Sequence, residues 1–130
     1  MGGGHLLLVE DSTLVTDALR MLFEAAGHRM RIAASVSEAI AACRAERPDV
    51  MLLDLTLPDG DGLEVLAALG ASTPRITAAM TGHDEPAVRA RCLAAGCTDV
   101  LVKPVPAREL LRRVESWLAA APAADPASRG

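Results

Sequence analysis

Two acidic side chains, Glu10 and Asp11, close one short apolar run (His5-Leu-Leu-Leu-Val9), and a single aspartate, Asp54, closes another (Val50-Met-Leu-Leu53). Short apolar runs bounded by Gly, Pro and Asp clusters read as buried strands of a parallel sheet, and in open sheets of that kind ligands sit outside the carboxyl ends of the strands. The three carboxylates therefore converge on one crevice. Two unit charges about 4 Å apart repel by roughly 4 kcal/mol at an effective dielectric of about 20. Either one carboxyl keeps its proton or a hard divalent cation lies among them. Mg²⁺ is the better reading, because it keeps several waters and needs only one or two carboxylates.

Further polar groups stand at other strand ends: Thr81 after Ile76 to Met80, and Lys103 with Pro104 after Val100 to Val102. Taken singly, each has a plainer explanation. Glu10 and Asp11 could complement the dipole of the next helix, Thr81 and Gly82 could open a turn, and Lys103 could be a solvated cation. Taken together, a carboxylate nucleophile, metal-holding acids, a hydroxyl donor and an ammonium are the set that stabilises a transferring phosphoryl group.

The elements that must position these groups alternate regularly. Ser12 to Ala26 has helical spacing in Leu14, Ala18, Leu19, Leu22 and Phe23 and is closed by Gly27. Met30 to Ala34 reads as a second strand, and a helix opened by Ser37 runs to about Glu46, stopping before Pro48. Val50 to Asp54 reads as the central strand on hydrophobicity alone, followed by the dense turn signal Leu57-Pro-Asp-Gly-Asp-Gly62. A helix from Leu63 to Leu69, a strand from Ile76 to Met80, a helix from Glu85 to Ala95, a strand from Val100 to Val102 and a helix from Ala107 to Ala120 complete five β/α units. The expected division is one domain over residues 1–120 and a tail or linker start over 121–130, where two prolines interrupt an Ala-rich run without apolar periodicity.

Composition removes several function classes. At 130 residues and 51% hydrophobic the chain is of single-domain size, and a net charge of -4 with one Trp, one Phe and no Tyr argues against direct nucleic-acid binding. Cys43, Cys92 and Cys97, an odd count without a signal peptide, read as reduced buried thiols of a cytoplasmic protein, and their spacing does not suit zinc. The Met1-Gly-Gly-Gly start lacks the Ser or Thr at position 6 that acylation wants, so no membrane anchor is expected. Those glycines also precede the first strand, whereas a phosphate-cradling loop follows it.

The segments Val-Glu-Asp-Ser, Leu-Leu-Asp-Leu-Thr-Leu-Pro-Asp-Gly-Asp-Gly, Met-Thr-Gly, Ala-Ala-Gly-Cys-Thr-Asp and Val-Lys-Pro, in this order over about residues 5 to 120, resemble the receiver domain of two-component response regulators. The resemblance implies a doubly wound, flavodoxin-like α/β fold, (βα)5, with a five-stranded parallel sheet of order 2-1-3-4-5, the order shared by flavodoxin and a chemotaxis receiver. It implies that Asp54 is the phosphoacceptor, served by a histidine of a sensor kinase or of a histidine phosphotransfer protein. Glu10, Asp11, Asp54 and the main-chain carbonyl of Thr56 would hold Mg²⁺. Thr81 and Lys103 would each meet a phosphoryl oxygen, and the Lys103-Pro104 peptide would be cis. Thr56 and His83 fall at the positions that tune dephosphorylation. One departure stands out: Val100 occupies the place where the family usually turns an aromatic ring inward.

Rival readings fail on single residues. A haloacid-dehalogenase-type phosphatase would carry a second Asp two positions after its nucleophile, and Thr56 stands there. A calcium loop built on Asp59-Gly-Asp-Gly62 would need acids where Leu57 and Ala68 stand. A receiver-like or flavodoxin-like binding module without phosphotransfer would carry a glycine- and hydroxyl-rich loop after the first strand, where acids are found. The expected output is a conformational signal to a downstream protein or linked output domain. The face of the fourth helix, fifth strand and fifth helix, charged by Arg89, Arg91, Glu109, Arg112 and Arg113 and apolar through Leu101, is expected to bind a target or a second copy after phosphorylation, the second case giving a phosphorylation-dependent dimer. With Val100 stiff at its β-carbon, the loop from Thr81 to Glu85 and the start of the fourth helix should move more than the fifth strand.

Overall fold

The computed structural model describes residues 3 to 120, so the expected tail lies outside the described residues. The elements are β1 (His5–Val9), α1 (Thr13–Ala25), β2 (Arg29–Ala33), α2 (Val36–Ala45), β3 (Val50–Asp54), β4 (Thr56–Leu57), β5 (Gly60–Asp61), α3 (Leu63–Leu69), β6 (Ile76–Thr81), α4 (Pro86–Ala94), β7 (Asp99–Val102) and α5 (Ala107–Ala120). The main sheet is wholly parallel in the order β2-β1-β3-β6-β7. With the two-residue strands β4 and β5 set aside, this is the expected 2-1-3-4-5 order.

The continuous apolar runs are explained by burial on both faces. Leu7, Val9, Met51, Leu53, Ala79 and Val100 pack against α2, α3 and the single buried residue of α4, Cys92. Their sequence neighbours Leu6, Leu8, Val50, Leu52, Ala78, Met80 and Leu101 pack on the opposite face against Leu19 and Phe23 of α1 and Leu110 and Val114 of α5. Successive strand residues point to opposite faces, and both faces of the sheet are covered, so β1 and β3 carry no polar side chain between their end residues.

Most boundary differences trace to caps. Ser12 and Ser35 stay extended, and their hydroxyls accept the Val15 and Glu38 N–H groups, so each caps its helix from outside. β2 runs from Arg29 to Ala33, one residue earlier than expected, because its register on β1 begins at His5↔Arg29. β7 starts at Asp99 and β6 extends through Thr81, which is therefore the last strand residue and not the first of the loop. The C-termini of α1 and α4 share one device. Gly27 (φ 94°) and Gly96 (φ 113°) take the left-handed position, and the His28 and Cys97 N–H groups reach back to the Phe23 and Cys92 carbonyls, both at 3.1 Å. The three cysteines are free and buried, and burial pushes the Cys97 thiol up to about 12. No helix among the described residues is long and apolar enough to cross a membrane.

Candidate functional site

The parallel register brings the strand ends to one rim: Val9 lies beside Leu53, Asp54 beside Met80, and Thr81 beside Val102. Carboxylate oxygens of Glu10, Asp11 and Asp54 lie within 4.8 Å of one another. Glu10 is 5% and Asp54 3% exposed, whereas Asp11 is open to solvent. Lys103 reaches in from the end of β7, with Nζ 2.8 Å from Asp54 Oδ2 and 3.4 Å from Glu10 Oε1.

The backbone fixes these side chains. Glu10 Oε2 accepts the Ser12 N–H at 3.0 Å, and Asp54 Oδ1 accepts the Thr56 N–H at 3.1 Å. The chain can turn this tightly after β3 because residue 62 is glycine: a Cβ there would come within 2.2 Å of the Asp54 carbonyl oxygen. Thr81 is buried and its Oγ1 accepts the His83 N–H at 3.0 Å, leaving the hydroxyl proton to donate. The Lys103-Pro104 peptide is cis.

The remaining expected residues are placed differently. The His83 side chain is 71% exposed and stands 3.8 Å from Glu85. The Thr56 side chain faces solvent. Val100 is already buried in the core under α4. Leu101 departs from the expectation that it would make the outer face apolar: it is 5% exposed and points into the α1–α5 core, and Val102, 41% exposed, is the apolar residue outside. Arg91 also leaves that face, its Nη1 lying 2.8 Å from Asp61 Oδ2 in the hairpin that follows β3. Asp59, the first acid of the rejected calcium loop, instead accepts the Val36 and Ser37 N–H groups at 2.8 and 3.1 Å and caps α2. Asp61 and Arg91 are 30 residues apart, and no spacing signal joins them.

Crowding marks Glu10 electrostatically. Burial raises its pKa from the ordinary 4.5, the Ser12 N–H opposes, and the neighbouring Asp54 adds to the rise. A carboxyl whose folded pKa lies above its unfolded one favours folding at low pH, and that advantage is lost as pH rises through 4.5 and beyond. At neutral pH the charged Glu10 is thus a source of strain that a cation would relieve. Glu10→Gln keeps an oxygen for Ser12 and removes the charge. We expect it to raise the melting temperature at pH 7 in EDTA by a few °C, of the order that follows from about 1 kcal/mol, and by nothing near pH 4. Added Mg²⁺ should shrink or reverse the difference. A lowered melting temperature at pH 7 in EDTA would show that Glu10 is not strained.

A family model described as the response regulator receiver domain matches residues 6–115. The probable transcriptional regulatory protein TcrX of Mycobacterium tuberculosis is 34% identical over 114 residues, 87% of this chain and 49% of that protein. The sensor histidine kinase AruS of Pseudomonas aeruginosa is 38% identical over 115 residues, 83% of this chain and 11% of that protein. The chain thus spans about half the length of the regulator it matches, and far less of the kinase. Among solved structures, a CheY-like receiver domain protein from Methanospirillum hungatei superposes with a TM-score of 0.81 at 28% identity, covering 91% of this chain and 95% of that one. The receiver domain of a Pseudomonas aeruginosa sensor histidine kinase, with a magnesium ion coordinated in its active site cleft, gives 0.79 at 29% identity, covering 92% of this chain and 100% of that one. Sequence, sheet order and the acidic rim at the strand ends agree, and the chain belongs to the receiver domains of two-component response regulators.

Proposed function

We propose that Asp54 is the phosphoacceptor, taking a phosphoryl group from a histidine of a sensor kinase or histidine phosphotransfer protein. The observation that carries this reading is the position of the Asp54 carboxylate. It is buried at a strand end, with Oδ1 held by the Thr56 N–H and Oδ2 by the Lys103 ammonium. Such a carboxylate is oriented for attack and faces a cation where negative charge will develop.

The donor set suits Mg²⁺: three carboxylates with oxygens inside 4.8 Å, one of them raised in pKa by burial and by its neighbour. Glu10, Asp11, Asp54 and the Thr56 main-chain carbonyl would hold it. When bound, the ion neutralises charge on phosphoryl oxygens and orients the transferring group. The chain's own residues do the rest. Lys103 balances the charge of Asp54 and meets one phosphoryl oxygen, and the Thr81 hydroxyl donates to another. Thr56 and His83, both solvent-facing, border the path of the hydrolytic water. The chemistry we assign is confined to the domain's own phosphorylation and dephosphorylation, in the cytoplasm. Leu14 is 82% exposed and Val15 41%, and they lie in the first turn of α1, just after Asp11, Ser12 and Thr13, giving a phosphodonor protein apolar ground at the crevice edge. Labelling by acetyl phosphate in Mg²⁺ and in EDTA tests the assignment. The protein should gain one phosphoryl group with the metal and none without it, and equal gain in EDTA would reject it.

The signal is passed to a partner or a linked output domain, and the face of α4, β7 and α5 supports self-association. A groove of about 500 Å³ there is lined by Val100 to Val102, Pro104 to Pro106 and charged side chains. Asp99 lies 3.6 Å from Arg89 and 3.7 Å from Arg113, and Glu109 pairs with Arg112 and Arg113. Alternating charges of this kind can exchange partners across a two-fold axis. Sedimentation of the protein with Mg²⁺, alone and with beryllofluoride as a phosphoryl mimic, should show monomer becoming dimer. One mass in both states would leave only hetero-partners.

A further inference from the structure

The two-residue strands β4 and β5 form a small hairpin that joins three parts of the molecule. At its base Thr56 donates its N–H to Asp54 Oδ1 and pairs in register with Asp61. From one side of the hairpin Asp59 accepts two N–H groups at the start of α2. From the other, Asp61 accepts the Leu63 N–H through Oδ1 at 2.8 Å and the Arg91 guanidinium through Oδ2 at 2.8 Å. Arg91 lies in α4, whose one buried residue is Cys92. An element with so little buried surface belongs to the low-stability end of a structure and is held by few contacts. Val100, beneath α4, is buried and β-branched, with one stiff rotamer axis and no polar edge to pass a displacement on.

We infer that the Asp61–Arg91 ion pair is the link that carries phosphorylation of Asp54 to α4, with Arg91 acting as a positioning residue. The inference rests on Asp54 being the phosphoacceptor. A phosphoryl group on Asp54 adds charge one hydrogen bond away from Thr56, the hairpin is short enough to shift as a unit, and its Asp61 end is tied to α4. Asp59 ties the same hairpin to α2, so the two carboxylates distribute one displacement to two helices. Coupling of this kind requires only that the pair differ in free energy between the two states.

The test is amide exchange of the full chain with Mg²⁺, with and without beryllofluoride, in wild type, Arg91→Ala, Arg91→Lys and Asp59→Ala. Arg91 is 53% exposed on its side chain, so its truncation leaves the core intact; a melting curve serves as the check. In wild type the mimic should alter exchange over 55–62 and over 83–94. Arg91→Ala should keep the first change and lose roughly half or more of the second, as expected for removal of a coupling element. Arg91→Lys should restore it in part, and Asp59→Ala should spare it while reducing the response of α2. An undiminished α4 response in Arg91→Ala overturns the inference. So does an α4 already altered in that variant without the mimic, which would make the pair a restraint. No change over 55–62 in wild type would remove the phosphoacceptor reading and this link with it.

Discussion

Asp54→Asn protein incubated with acetyl phosphate and Mg²⁺ should take up no phosphoryl group, while wild type under the same conditions should be labelled. The expected contrast is all or none, because the carboxamide has no anionic oxygen to attack phosphorus, and the other carboxylates are poorly placed to substitute. Glu10 has one oxygen committed to the Ser12 N–H and the other toward Lys103, and Asp11 is exposed, where a carboxylate is solvated and unaligned. The variant should fold, since an Asn oxygen can still accept the Thr56 N–H and one like charge leaves a crowded cluster. Asp11→Asn should behave differently. On the proposed assignment it retains the acceptor and weakens the cation site, so its labelling should recover as Mg²⁺ is raised. Intact-mass measurement separates the two, and undiminished labelling of Asp54→Asn would place the acceptor elsewhere.

The crevice is legible in the sequence because each of its side chains sits at the end of an apolar run, and parallel strands buried on both faces align those ends without further information. Glu10, Asp11, Asp54 and Lys103 meet for that reason. The side of the sheet on which each strand residue falls is not legible where both sides are apolar. Leu101 and Val102 look alike in sequence, and only the packing of Leu101 under α1 and α5 distinguishes them. The β4–β5 hairpin also escapes a reading by pattern. Its ladder has two residues a side, too few for alternation to register, and Leu57-Pro-Asp-Gly reads as a turn whether or not its flanks pair. The Asp61–Arg91 contact, like that of His28 with Glu115 at 2.9 Å, joins residues far apart in the chain, and charge alone offers many equally good partners. Thr81 reads as lying one residue beyond its strand because a threonine before glycine resembles the start of a turn, although its own carbonyl accepts the Lys103 N–H at 2.7 Å as a ladder residue's does.

Lys103→Met should slow Mg²⁺-dependent labelling of Asp54 by about 100-fold, the scale seen when one preorganised donor to a developing charge is removed. Methionine matches the length of the lysine stem, so packing along the chain is preserved and the lost feature is the ammonium. Its electrostatics suit the role proposed for it. Burial disfavours its charge, but Asp54 and then Glu10 outweigh the burial and raise its pKa above the ordinary 10.5. A lysine raised in this way contributes stability that is fully present below its unfolded pKa and is lost only as pH rises through the folded one. The pair is therefore intact across the neutral range, and the rate defect should not vary between about pH 6 and 9. Stability should fall too, because Glu10 and Asp54, both nearly inaccessible, lose their counter-charge. Hydrogen bonds to charged groups contribute about 1.5–3 kcal/mol, and the lower end applies because the Lys103 side chain is 37% exposed and screened by water. Mg²⁺ should then raise the melting temperature of the variant more than that of wild type, since the ion would replace the missing positive charge. Labelling of Lys103→Met at the wild-type rate would show that the 2.8 Å contact organises the resting crevice and takes no part in phosphoryl transfer.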